Sequence, residues 1–156
     1  MTTLNWSPYS SNVPTLSQSD VAAFEAHAGC TLPTAYTQLL LAHAGHVTDR
    51  ERIAVGNGDT VFGALFFVSD DAVYRHHDEN AYKALDDLRD WTGKDECGLV
   101  PFASNTASGL FCFDFRSGDS SGEPAVVFAD LDRDPDGQRA VLPVADSLAD
   151  FLQKLH

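Results

Sequence analysis

The fold is decided by the stretch "LVPFASNTASGLFCFDFRSGDSSGEPAVVFAD", residues 99–130. Three apolar runs, 99–103, 110–115 and 124–130, are separated there by sequences rich in Gly, Ser and Asn. Short apolar runs between turn residues predict strands that pair antiparallel with their neighbours. A fourth run, "QRAVLPV" at 138–144, follows after another turn sequence. The sequence therefore predicts a mainly antiparallel sheet.

The run at 110–115 has the alternation of a strand. Because successive side chains point to opposite faces, its three phenylalanines share one face. The other face carries Leu110, Cys112, Asp114 and, just beyond, Arg116. We expect the phenylalanines in the core and Asp114 in an ion pair or turn contact with Arg116. A catalytic Asp114 is disfavoured because no second carboxylate or positioned base accompanies it.

Apolar residues recur at helical spacing in four segments outside these runs: 17–29, 32–46, 80–93 and 145–156. The third segment places Asp86, Asp87 and Asp90 on its outer face. The last is capped by Asp146 or Ser147. These segments predict four helices.

Residues 52–68, "RIAVGNGDTVFGALFFV", predict a hairpin in which Asn57-Gly58 supplies the positive φ angles of the turn. The elements together predict an α+β fold with a mainly antiparallel sheet of about six strands. Its helices are expected on one face, with two at the N-terminus and one at the C-terminus. Residues 1–16 are predicted to be an extended segment and 17–156 a single domain.

The composition limits the function. The 156 residues include 23 acidic and 10 basic side chains, a formal net charge of −13. Phosphate-backbone binding needs clustered Lys and Arg, so nucleic acid is not expected as a ligand. No apolar run approaches the roughly 20 residues that span a bilayer, and the first residues do not resemble a signal peptide. A cytoplasmic protein with no membrane contact is the expectation.

The negative charge is concentrated in two segments. Residues 69–96 contain nine acids and four bases, and residues 114–136 contain seven acids and two bases. Acidic clusters are commonly solvated faces, but a negative face can also steer a basic protein into contact. The hypothesis for a partner-binding face rests on the first segment, at Asp78, Glu79, Asp86, Asp87 and Asp90.

Residues 118–122, Gly-Asp-Ser-Ser-Gly, satisfy the GxSxG pattern of serine hydrolases around Ser120. A nucleophile elbow needs a strand before the serine and a helix after it, whereas strands are predicted on both sides here. A hairpin loop is therefore favoured, and hydrolysis through Ser120 remains only a remote alternative.

Metal and cofactor motifs are incomplete. Residues 132–137 match the opening of a calcium loop, but Pro143 stands where the twelfth-position Glu is required, which leaves only adventitious calcium binding open. The histidine pairs His76-His77 and His43 with His46 match no recognised ligand frame. The expectation is no catalytic residue, no metal and no cofactor.

Three stretches in order resemble the SUKH superfamily, which joins Smi and Knr-type cell-wall regulators, Syd and bacterial toxin-immunity proteins. They are "VAAFEAHAGCTLPTAYTQLLLAHAG" (21–45), "LVPFASNTASGLFCFDFRSG" (99–118) and "VADSLADFLQKL" (144–155). This sequence departs from the family pattern at Ala44-Gly45-His46 and at Leu148. The resemblance implies fold-defining roles at seven positions: Pro33, Tyr36, Pro101, Phe102, Gly109, Asp114 and Asp146.

The resemblance also implies a non-enzymatic protein-binding domain. The commonest bacterial role would be an immunity protein that neutralises a cognate polymorphic or contact-dependent toxin, often a nuclease or deaminase. An acidic chain suits the basic cleft of such a toxin. The alternative is a regulatory or scaffold module of Smi/Knr or Syd type that binds a cellular protein.

Overall fold

The structure, a computed structural model, describes residues 3–9, 13–96, 98–117 and 123–156. Its helices are α1 (Gln18–Ala28), α2 (Thr34–His43), α3 (Ala81–Thr92) and α4 (Leu148–Lys154). Its strands are β1 (Trp6–Pro8), β2 (His46–Thr48), β3 (Arg52–Val55), β4 (Gly58–Val61), β5 (Leu99–Ser104), β6 (Gly109–Asp114), β7 (Ala125–Asp130) and β8 (Val141–Ala145). The α+β class and the antiparallel pairing are confirmed.

The strands do not form one sheet of about six strands, as the sequence predicted. β5 to β8 form a four-stranded antiparallel meander, while β1 pairs with β2 and β3 pairs with β4. The hairpin strand ends at Val61. Residues 62–68 continue without forming a strand, although they contact β5 through backbone hydrogen bonds and a β-bridge between Leu65 and Ala103. The placement of all helices on one face is not confirmed either.

The phenylalanine side of β6 lies in the centre of the core. Phe111 and Phe113 are fully buried, and their rings contact Phe151 of α4 at 5.3 Å and Tyr36 of α2 at 5.0 Å, respectively. Cys112, on the opposite side of the strand, is also fully buried. Both faces of β6 are therefore covered, which explains why all but one of its residues are buried.

Local signals fix the helix ends. The carboxylate of Asp20 accepts a hydrogen bond from the Ser17 backbone at 2.8 Å, which closes the first turn of α1. Gly29 ends α1 in the left-handed conformation, with φ of 78°. For α4 the two candidate caps are resolved in favour of Ser147, whose Oγ accepts from the Asp150 backbone at 3.1 Å.

The β3–β4 hairpin is confirmed, but its turn differs from the predicted one. Val55 pairs with Gly58, so the two loop residues are Gly56 and Asn57. The positive φ of 59° belongs to Gly56, not to Asn57 or Gly58. A glycine at the first loop position is the type II′ solution, which matches the twist of the strands equally well.

Candidate partner-binding site

Asn80 fixes the start of α3 and the loop before it. Its side chain is fully buried, and its Oδ1 accepts hydrogen bonds from the backbones of Ser69 and Tyr82, both at 3.2 Å. Its Nδ2 donates to the carbonyls of Ser69 at 2.7 Å and Tyr74 at 3.0 Å. One amide thus caps the helix and ties down the preceding loop, so Asp78 and Glu79 are held at a defined position.

The five predicted acids differ in their surroundings. Asp86 forms an ion pair with Arg75 at 2.7 Å, and Lys83 lies between Asp87 at 2.9 Å and Asp78 at 3.4 Å. These hydrogen bonds and charges, that of Asp87 foremost, raise the pKa of Lys83. Within the described ranges, Glu79 and Asp90 have no cationic partner. The negative charge of the α3 surface is therefore partly neutralised within the protein, and Glu79 and Asp90 are the two acids whose charge is not.

A groove of about 560 Å³ runs beside the first half of α3. Its apolar lining includes Phe62, Phe66, Ala84 and Leu110. Its acidic lining consists of Glu51, Asp78, Glu79 and Asp87, with Lys83 among them. Asp86 and Asp90 do not line it. The structure thus brings three of the predicted acids to one concave site and leaves two on the surface outside.

The β5–β6 turn forms another wall of this groove and is held by Asn105. Its Oδ1 accepts from the backbones of Ala107 at 3.0 Å and Gly109 at 2.9 Å. Thr106, between them, has a φ of 65°, which is strained for a β-branched residue. The side-chain hydrogen bonds of Asn105 stabilise this conformation, so the wall has a fixed shape.

The seven residues of the family pattern differ in their surroundings. Tyr36, Pro101, Phe102 and Gly109 are buried, Pro33 precedes α2, and Asp114 forms an ion pair with Arg116 at 2.9 Å. A Cβ on Gly109 would clash with the Phe128 ring, so a side chain at this position would force the ring to move. Asp146 is exposed, and its backbone N–H donates a hydrogen bond to the Asp150 carboxylate at 3.1 Å.

The alternative chemical sites gain no support. Ser120 and the rest of residues 118–122 lie outside the described residues. No group of three or more His, Cys, Asp or Glu side chains among the described residues is placed to hold a metal ion. His43 instead stacks on Trp6 at 4.9 Å, and the 132–137 segment forms a turn in which Asp134 accepts from the Asp136 backbone.

Two groove residues from outside α3 and its preceding loop are not indicated by the sequence. Tyr9 belongs to the N-terminal segment and Glu51 to the β2–β3 connection, and both line the groove. Neither residue lies in an acidic cluster or a motif that would single it out. Only the pairing of β1 with β2, which carries the N-terminal segment to the domain, could have indicated Tyr9.

These features define a class of protein: an acidic α+β domain with a concave surface beside one helix. The chain belongs to the SMI1 / KNR4 family (SUKH-1), whose family model matches residues 15–154. Membership supports a protein-binding domain. The comparison with curated proteins found no match. None of the described helices is both long enough and apolar enough to cross a membrane.

Proposed function

We propose that this protein is a bacterial immunity protein, a non-enzymatic cytoplasmic binder that neutralises a cognate polymorphic or contact-dependent toxin by direct contact. The observation that carries the proposal is the acidic surface along α3 in a chain of net charge −13 that belongs to a protein-binding family. Nucleases and nucleic-acid deaminases need basic clefts for their substrates. An acidic protein can occupy such a cleft with fast, salt-sensitive association.

The contact surface is proposed at Asp78, Glu79, Asp86, Asp87 and Asp90. The ion pairs of Asp78, Asp86 and Asp87 within the chain do not oppose this assignment. Their carboxylates are 47% to 89% exposed, and exposed pairs of this kind contribute only about 0–1 kcal/mol. A partner's basic group can therefore replace Arg75 or Lys83 at low cost.

The test begins with the gene immediately upstream. If it encodes a large secreted protein with a variable C-terminal domain, that domain is titrated with this protein by calorimetry and its nuclease or deaminase activity is measured. We expect tight 1:1 binding and loss of activity. A toxin domain of unrelated sequence serves as the control and should neither bind nor lose activity.

The contrary outcome points to the other role in the family. A gene neighbourhood without a toxin, or a titration without heat and without inhibition, would replace this proposal with a regulatory module of Smi/Knr or Syd type. Labelling with a serine-reactive fluorophosphonate addresses the hydrolase alternative separately. We expect Ser120 to stay unmodified.

A further inference from the structure

The groove beside α3 has the dimensions of a ligand site rather than of a surface irregularity. Its volume of about 560 Å³ lies inside the range of about 300–1,000 Å³ found for binding clefts. Val47, Val61 and Leu131, which are only half-buried, contribute apolar surface to its lining. A ligand that enters this groove would therefore contact apolar surface as well as charge.

The charge of the lining is not balanced within the protein. Four carboxylates and one ammonium group line the groove, which leaves an excess of three negative charges. Lys83 is shared by Asp78 and Asp87, whereas Glu51 and Glu79 have no ion pair with any described residue. These two glutamates come from separate parts of the chain, on the β2–β3 connection and before α3. Both carboxylates therefore line the groove without a cationic partner among the described residues.

An exposed aromatic ring adds an independent indication. Tyr9 is 58% exposed, and only one other large hydrophobic side chain in the described ranges, Val73, is also exposed. Tyr9 lines the groove, while Val73 does not. A solvent-exposed aromatic ring beside carboxylates is suited to cation binding, because the negative face of the ring attracts a positive charge.

We propose that this groove binds an arginine side chain carried on an extended segment of a basic protein partner. A guanidinium group matches the site best, because its planar fork pairs with carboxylates and its face stacks on an aromatic ring. The apolar groups of the segment would contact Val47, Val61 and Leu131. The proposal deepens the proposed function, since it takes the partner to be a protein with a basic surface.

The experiment uses two capped tripeptides, Leu-Arg-Leu and Leu-citrulline-Leu, titrated into the full chain and followed by amide chemical shifts in NMR spectra. Citrulline keeps the shape of arginine but carries no charge. We expect saturable shifts with the arginine peptide at the amides of Gly63, Phe66, Ala84 and Ala107, and affinity at least about tenfold weaker for the citrulline peptide.

Variants locate the binding. Glu51→Gln combined with Glu79→Gln keeps the size of both side chains and should weaken the arginine peptide about tenfold or more. Asp95→Asn combined with Asp136→Asn removes the same charge from exposed residues that do not line the groove and should leave affinity within about twofold. The amide spectra of both variants report whether the fold is kept.

Three results would overturn the proposal: equal affinity for the two peptides, no saturable shift, or equal weakening in both double variants. The outcome is separable from that of the immunity role. If a toxin binds the groove variant as tightly as it binds the wild type, the groove is not the site of contact, but the immunity role still holds. If the arginine peptide binds specifically but no toxin partner is found, the groove site is supported and the immunity role is refuted.

Discussion

At the scale of single residues, Tyr36 shows a buried polar group that the fold does not use. Its ring is fully buried against Phe113 and Phe102, and its hydroxyl has no hydrogen-bond partner among the described residues. Burial raises the pKa of Tyr36 well above its usual value, because the charged phenolate is disfavoured there. The ring is thus the stabilising part of this residue.

We therefore expect Tyr36→Phe to leave the free energy of unfolding unchanged or to raise it by up to about 1 kcal/mol. Tyr36→Ala should lower it by about 3–5 kcal/mol, because a large cavity remains. Urea denaturation of the three proteins measures both values. A loss of more than about 1 kcal/mol in the Phe variant would show that the hydroxyl is stabilising after all.

Asp114 gives a pH-dependent contribution at the end of β6. Burial by itself would raise its pKa, but the hydrogen bonds and charge of Arg116 outweigh this and lower the pKa below 3.8. A carboxyl with a depressed folded-state pKa stabilises the protein above its unfolded-state pKa. That contribution is lost as the pH falls through the lower, folded-state pKa.

Asp114→Asn should accordingly lower the free energy of unfolding by about 1 kcal/mol at pH 7. The difference from the wild type should shrink below pH 3.8 and vanish once the wild-type carboxyl is protonated. Urea titrations from pH 7 to pH 2.5 test this, with exposed Asp136→Asn as the control. A difference that is constant over this pH range would assign the loss to packing rather than to charge.

At the scale of elements, Asn80 determines how α3 begins. Sequence reasoning placed the helix at 80–93, and the structure has it from Ala81 to Thr92, but the four hydrogen bonds of the Asn80 amide were not foreseen. Asparagine is a common cap, so its helical role has a local signal. Its hydrogen bonds to Ser69 and Tyr74 join residues up to 11 positions apart in the sequence, and no sequence pattern predicts them.

Asn80→Ala should lower the free energy of unfolding by about 2–3 kcal/mol, because a cap is lost and buried backbone groups lose their partners. Hydrogen exchange should also become faster at the amides of Ser69 and Tyr82, because both donate hydrogen bonds to Asn80 in the wild type. Gln153→Ala, on the exposed side of α4, is the control and should change neither quantity. Unaltered exchange in the Asn80 variant would mean that the loop is held by other contacts.

At the scale of the whole molecule, the net charge of −13 governs how fast a partner is met. Long-range attraction accelerates encounter and is screened over about 10 Å at 0.1 M salt. The charges that face the partner should therefore affect the association rate more than the dissociation rate. Charge elsewhere on the molecule should have less effect.

If the α3 surface is the contact, reversing Asp86, Asp87 and Asp90 to Lys should slow association with the toxin domain by about tenfold or more at low salt. Raising the salt concentration should slow the wild type markedly and the variant little. Stopped-flow kinetics measure both rates, and reversal of Asp132, Asp134 and Asp136 provides a charge-matched control. If the α3 variant associates as fast as the wild type, the toxin does not contact this helix.

Elements with strong local signals could be predicted from the sequence. The four helices, the four strands after residue 98 and the stop at Gly29 follow from periodicity and turn chemistry, which act within a few residues. The number of strands per sheet could not be predicted. Whether residues 62–68 continue the hairpin or leave it depends on contacts with β5, such as the 2.8 Å hydrogen bond from Gly63 to Ser104.

The sequence by itself determined the α+β class, the family pattern, the acidity and the outward direction of Asp86, Asp87 and Asp90 on α3. Each depends on composition or on neighbours along the chain. Only the tertiary structure decided that Asp78, Glu79 and Asp87 share a groove with Tyr9 and Glu51, while Asp86 and Asp90 lie outside it. A concave site is made by chain segments far apart in sequence, and their approach is set by packing of the common core rather than by local propensity.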